Sequence, residues 1–179
     1  FTYGNAQFFM LDTNRDVRPG TEQFEWLQKE LAASKARWKI CVHHQPPFSS
    51  DDDYGNDWKT PLREATFGDM KSKPLVGLYD KYSVDIVWCG HVHSYERTWL
   101  IRDGKPVEDA GTLYMITGGA GGPLERSGPF RPGFQRYVKQ GHHFCYVAVN
   151  GGQLEIQSFD LEGRLFDSTK LVKKSDPNP

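Results

Sequence analysis

The chain has no long apolar run. None of its hydrophobic stretches approaches the ~18 residues of a membrane-crossing helix, so no membrane span is predicted. It has no excess of charge. The 22 Lys and Arg against 23 Asp and Glu leave a formal net charge of −1. That balance gives no electrostatic case for nucleic acid or for an anionic membrane surface. Cysteine is scarce: Cys41, Cys89 and Cys145 are widely spaced, and no CxxC pair occurs. An odd count at such spacing excludes a disulfide framework and a thiolate metal knuckle. Each cysteine lies in an apolar run, which predicts buried free thiols. There is no initiating methionine. The abrupt opening "FTYGNAQFFML" is what an internal starting point would give, with any targeting segment lost. Internal repeats and low-complexity segments are also missing.

What is present suits one domain or a large part of one. Of the 179 residues, 37% are hydrophobic and 25% charged, enough apolar material for a packed core. "QFFMLDT" predicts a short buried strand ending at a carboxylate. "RPGTEQFEWLQKELAAS" predicts a helix, with Thr21 as N-cap and Phe24, Leu27 and Leu31 at helical spacing. "RWKICVHH" predicts the next strand, stopped by "QPP". "SSDDDYGNDW" reads as a polar loop, and "TPLREATFGDMKSKPLVGLYDKY" as helical pieces broken at Pro74. "VDIVWC" is a third strand. This alternation argues for an α/β layered fold. Beyond "GHVHSYERT" the pattern changes to strand–turn–strand around "RDGK". A long Gly-, Pro- and Arg-rich loop over 118–142 follows. Three strands of an antiparallel meander come next, joined at "NGG" and "LEGR". Residues 173–179, "KKSDPNP", read as a frayed tail.

Two of the first three strands deliver histidines at their carboxyl ends, where open α/β sheets collect ligands. One ends in "CVHHQPP" (His43, His44), the other in "CGHVH" (His91, His93). A lone histidine at a strand end is ordinarily a hydrogen-bonded loop residue, and a bare HxH is a weak signal. Two such groups, each followed by a stop signal, point to a metal site. Neutral imidazole suits Zn, Fe or Mn. Spacing alone leaves open whether such a metal serves hydrolysis or is only held.

"GHVHSYERT" resembles the last metal-binding motif of the calcineurin-like metallophosphoesterase superfamily. The form is that of its purple acid phosphatase branch, where the pattern runs Gly-His-x-His-x-Tyr-Glu-Arg. "HHQPPFSS" resembles the preceding motif, a strand ending in His-x-Pro. "GTLYMITGGAGG" and "GHHFCYVAVNGGQLEIQSF" look like the closing strands, so the resemblance covers nearly the whole chain. It implies an α/β fold over residues 1–172. That fold would be the C-terminal half of an α/β/β/α sandwich, with a mixed sheet and helices followed by antiparallel closing strands. It implies two metal ions (Fe, Zn or Mn), with His44 and His91 on one and His93 on the other, and a phosphate ester as substrate. His44 stands two residues before Pro46, which matches the motif better than His43. Tyr95, Glu96 and Arg97 would pack and tie down the loop. Secretion or a periplasmic location is an expectation from the resemblance alone.

The same resemblance marks what is missing. The family's Asp-x-His, Gly-Asp and Asn-His motifs have no counterpart here, so an N-terminal half is the expected partner. Asp12 is the nearest carboxylate to a bridging position and reads as structural. Asp51, Asp52 and Asp53 are expected to face solvent. Asn56, Lys59 and His143 are candidate substrate contacts; one of His142 and His143 could reach the site rim, and otherwise they are loop residues. "TGGAGGP" lacks the Lys-Ser/Thr of a P-loop and reads as a mobile connection. The missing carboxylates also motivate an alternative, a non-catalytic binding module on the same fold.

Overall fold

A computed structural model describes residues 1–51 and 65–173. The chain opens with β1 (Thr2–Tyr3) and β2 (Ala6–Met10), then α1 (Glu22–Ala33) and β3 (Trp38–His43). A short 3₁₀ turn (Lys73–Leu75) runs into α2 (Val76–Tyr82), followed by β4 (Ile86–Cys89). Then come β5 (Tyr95–Arg102), β6 (Lys105–Val107), β7 (Thr112–Thr117) and β8 (Gln135–Lys139). The chain closes with β9 (His143–Asn150), β10 (Gln153–Asp160) and β11 (Leu165–Val172).

The large sheet runs β1-β2-β3-β4-β7-β5-β6. Strands β2, β3, β4 and β7 are parallel, while β5 runs antiparallel to β7. The outer edge of β5 is shared: Tyr95–Thr98 pair with β8 and Leu100–Arg102 with β6. The second sheet is the antiparallel meander β11-β10-β9.

Three layers follow from the two-residue period of the strands. Cys41 and His43, Val87 and Cys89, and Tyr114 and Ile116 share one side of the large sheet. Of these, the cysteines, Val87, Tyr114 and Ile116 pack with Phe24, Leu27 and Leu31 of α1 and Leu78 and Tyr79 of α2. The alternate residues Trp38, Ile40, Ile86, Leu113 and Met115 face the other way. They pack against Leu154 and Ile156 of the second sheet. The helix predicted within 18–34 thus forms over Glu22–Ala33 and buries the expected three residues. Thr21 precedes it, but its hydroxyl donates to Arg18 O at 2.8 Å instead of capping a helical N–H.

Three expectations are corrected. The segment 118–142 is not one long loop. It contains β8, whose sequence QRYVK shows no alternating apolar pattern; pairing with β5 makes the strand. Asp51 does not face solvent: it is buried and forms an isolated bridge with Ser127. Lys173, expected in the frayed tail, is held, and residues 174–179 lie outside the described residues. Its ammonium pairs with Asp85 at 2.7 Å and its N–H donates to Gly152 O at 2.8 Å. Asp52, Asp53, Asn56 and Lys59 lie outside the described residues. The three cysteines are free, with Cys41 and Cys89 buried and Cys145 half-buried.

Candidate metal centre

Strands β3 and β4 are parallel neighbours, with His43 opposite Cys89. The residues just beyond them, His44 and Gly90–His91, therefore leave the sheet side by side. The next peptide link is direct, since Gly90 N–H donates to His44 O at 3.1 Å. Alternation then separates the two adjacent histidines. His43 points into the helix-side core, its Nδ1 3.8 Å from Cys89 Sγ, and burial pushes it down to about 4. His44 points outward.

His91 sits in a tight three-residue turn. Val92 N–H donates to Gly90 O at 2.8 Å, and His91 itself has φ +65°. A non-glycine residue with positive φ costs on the order of 1–3 kcal/mol, and such strain gathers at functional sites. The turn brings His91 Nδ1 to 3.1 Å from His44 Nε2, with the rings edge to face at 74°. The His44 pKa is lowered, first by burial and then by the neighbouring charges of His91 and His93. The environment thus favours neutral imidazole, the form that binds metals.

His93 lies two residues on. Its Nδ1 is 2.7 Å from Pro123 O, a group that only accepts, so the proton is on Nδ1 and Nε2 keeps its lone pair. Its backbone N–H donates to Glu125 Oε2 at 2.7 Å. Nothing in the local sequence marks Pro123 or Glu125 for this role. They lie some 30 residues away, in a segment without periodicity.

Below the histidines, Tyr95, Glu96 and Arg97 fasten the motif to the rest of the fold. Tyr95 hydroxyl donates to Asp167 at 2.7 Å, and Arg97 makes a two-point pair with the same carboxylate. Glu96 is 1% exposed. It accepts from Ser49 Oγ at 3.2 Å, Ser50 N–H at 3.0 Å and Gln135 Nε2 at 2.8 Å. It therefore joins β5, the strand after His93, to the segment that follows His44.

The donor set fits part of a metal centre. Two imidazole nitrogens 3.1 Å apart match adjacent ligands of one ion, given Zn–N bonds of about 2.0–2.1 Å. Among the described residues, however, no three His, Cys, Asp or Glu side chains converge as a complete ligand set. Asp12 is directed elsewhere, accepting Asn14 N–H at 3.0 Å and pairing with Arg15. His143 is buried between the sheets against Tyr95 and Phe166, its Nδ1 2.9 Å from Gly141 O. Its contacts include none of the other three histidines. His142 Nδ1 is 3.0 Å from Gly119 O.

Comparison with known proteins identifies the family. The family model for calcineurin-like phosphoesterase matches residues 1–95. The chain is 34% identical over 189 residues to probable inactive purple acid phosphatase 24 of Arabidopsis thaliana, covering 96% of this chain and 29% of that protein. It is 31% identical over 194 residues to human acid phosphatase type 7, covering 96% and 43%. Among solved structures, it superposes on the purple acid phosphatase PPD1 of yellow lupin (Lupinus luteus) with a TM-score of 0.87 at 28% identity. That match covers 98% of this chain and 32% of PPD1. The chain thus spans between about a quarter and a half of the length of the curated relatives described here. The matched residues carry both histidine turns, and the chain belongs to the calcineurin-like phosphoesterase family, in its purple acid phosphatase-like branch.

Proposed function

We propose that the complete protein is a metal-dependent phosphoesterase and that His44, His91 and His93 are its histidine ligands in this part of the chain. The observation that carries the reading is the 3.1 Å approach of His44 Nε2 to His91 Nδ1 in a strained turn. Neutral nitrogens held that close repel unless they share a proton or a cation. His93, with Nδ1 committed to Pro123 O, presents Nε2 for a second ion. Two bound cations, of Fe, Zn or Mn, supply Lewis acidity and lower the pKa of water in phosphate-ester hydrolysis. The residues of this chain hold and orient.

Imidazoles alone do not neutralise two cations. The remaining ligands, carboxylates among them, belong on this reading to an N-terminal segment of the same protein. Two observations support such a partner. The chain covers only 32% of the lupin phosphatase structure it superposes on. Strand β9 pairs on one side only among the described residues and leaves Phe144, Tyr146, Val147 and Val149 exposed. Apolar residues on an open strand edge favour burial by another part of the fold.

A second reading is a non-catalytic module on the same fold. It is favoured by the relatives named as probable inactive purple acid phosphatases. The test is metal content of the complete protein by elemental analysis, with hydrolysis of a phosphomonoester and a phosphodiester measured across a pH series. Bound metal and hydrolysis, both lost in His91→Ala, support the enzyme. Metal without hydrolysis supports the binding module. Metal content unchanged in His91→Ala would overturn the ligand assignment.

A further inference from the structure

The segment between β7 and β8 reaches back over the histidine turns. We propose that Glu125 in this segment is a positioning residue for His93. It holds the backbone and ring so that Nε2 faces the ions of the proposed centre; the metal-binding part of this inference rests on the phosphoesterase reading.

The contacts between the two residues are reciprocal. Glu125 Oε2 accepts the His93 N–H at 2.7 Å, and the Glu125 N–H donates to His93 O at 3.3 Å. Glu125 Oε1 lies 3.6 Å from His93 Nδ1, the nitrogen that donates to Pro123 O at 2.7 Å. Both carboxylate oxygens thus face His93, one at the main chain and one at the ring. A hydrogen bond to an ionised acceptor is roughly twice as strong as a neutral one. A backbone wall completes the grip. A Cβ at Gly122 would lie 2.5 Å from His93 Cε1, so the ring packs directly on the glycine backbone.

The segment that carries Glu125 is itself anchored. Ser127 bridges Asp51, and Gly128 N–H donates to Ser50 O at 3.0 Å. Ser50 N–H in turn donates to Glu96. Residues 122–128 therefore tie the His93 turn to the segment that follows His44, and Glu125 is the side chain through which that tie reaches a histidine. A carbonyl and a carboxylate beside Nδ1 fix the tautomer and raise the basicity of the other nitrogen.

The test uses the complete protein with Glu125→Ala and Glu125→Gln. The first readout needs no metal. Chelator-treated protein is modified with diethyl pyrocarbonate, and the rate at each histidine is read by peptide mass spectrometry. Glu125→Ala should change the rate at His93 severalfold while His44 and His91 keep theirs. Glu125→Gln, which retains an accepting oxygen, should stay near wild type. The second readout is Zn²⁺ retention against a competing chelator, where loss of such a supporting carboxylate typically weakens binding about 10–100-fold. Unchanged His93 reactivity in Glu125→Ala overturns the proposal, even where thermal stability falls. A wild type that binds no Zn²⁺, Fe or Mn overturns the phosphoesterase reading, and the modification rates still decide the role of Glu125.

Discussion

Arg97 and Asp167 form a two-point ion pair across the two sheets, with Nε to Oδ2 at 2.6 Å and Nη2 to Oδ1 at 2.8 Å. Both side chains are more than nine-tenths buried. Burial by itself would raise the Asp167 carboxyl, but the hydrogen bonds from Arg97 and Tyr95 outweigh it and hold the pKa below the usual value. The strand that follows the histidine turn is thereby fastened to β11.

Asp167→Ala removes the acceptor for both Arg97 and Tyr95 and leaves a buried guanidinium unpaired. The expected cost is about 3–5 kcal/mol, the usual penalty for breaking a buried pair from one side. Urea unfolding of the complete protein measures it. The double variant Arg97→Met/Asp167→Leu should recover much of the loss, because it buries no orphaned charge. A double variant as unstable as the sum of the singles would contradict this account.

Glu96 makes stability pH-dependent. Burial, opposed by bonds from Ser50 N–H and the Ser49 hydroxyl and assisted by the nearby Asp51 charge, pushes it up to about 7. A carboxyl whose folded pKa exceeds its unfolded value binds more protons when folded. Its contribution is therefore fully present below about 4.5 and is lost as pH rises through about 7. The swing is on the order of 3 kcal/mol. Glu96→Gln should flatten the wild-type slope across that window, read as the difference between two urea-midpoint curves against pH. Parallel curves would show that Glu96 does not titrate there.

Gly118 packs against the backbone of the histidine turn. A Cβ on it would lie 2.0 Å from Val92 O, whereas a Cβ on Gly121 meets nothing within 4 Å. Gly118→Ala should cost at least the ~1–3 kcal/mol typical of overpacking, because the obstructing atom is main chain. Gly121→Ala should be near neutral. Thermal melts of both variants make the comparison, and equal melting temperatures would refute it.

The thiols should differ in accessibility. Burial pushes Cys41 and Cys89 upward, and both are enclosed. Cys145 is also raised by burial, with the Ser158 hydroxyl opposing it, but it is only half-buried. Labelling of native protein at mildly alkaline pH should mark Cys145 first and reach the other two only on unfolding. Early labelling of Cys41 would show that the helix-side core opens readily.

Wherever burial imposes a period on neighbouring residues, the chain was legible from its sequence. Phe24, Leu27 and Leu31 marked α1, and the alternating apolar runs marked β3, β4 and the closing meander. His44, His91 and His93 stood out because strand ends and a glycine bracket them in the sequence itself. Tertiary structure alone decided what depends on partners distant along the chain. β8 is a strand because β5 offers it an edge, and Asp51, which bridges Ser127, is buried by contacts that its own polar segment does not announce. Glu125 reaches His93 only because the segment after β7 folds back over the turn. A hydrogen bond between residues 32 positions apart leaves no local pattern of hydrophobicity, and so no trace that a sequence can display.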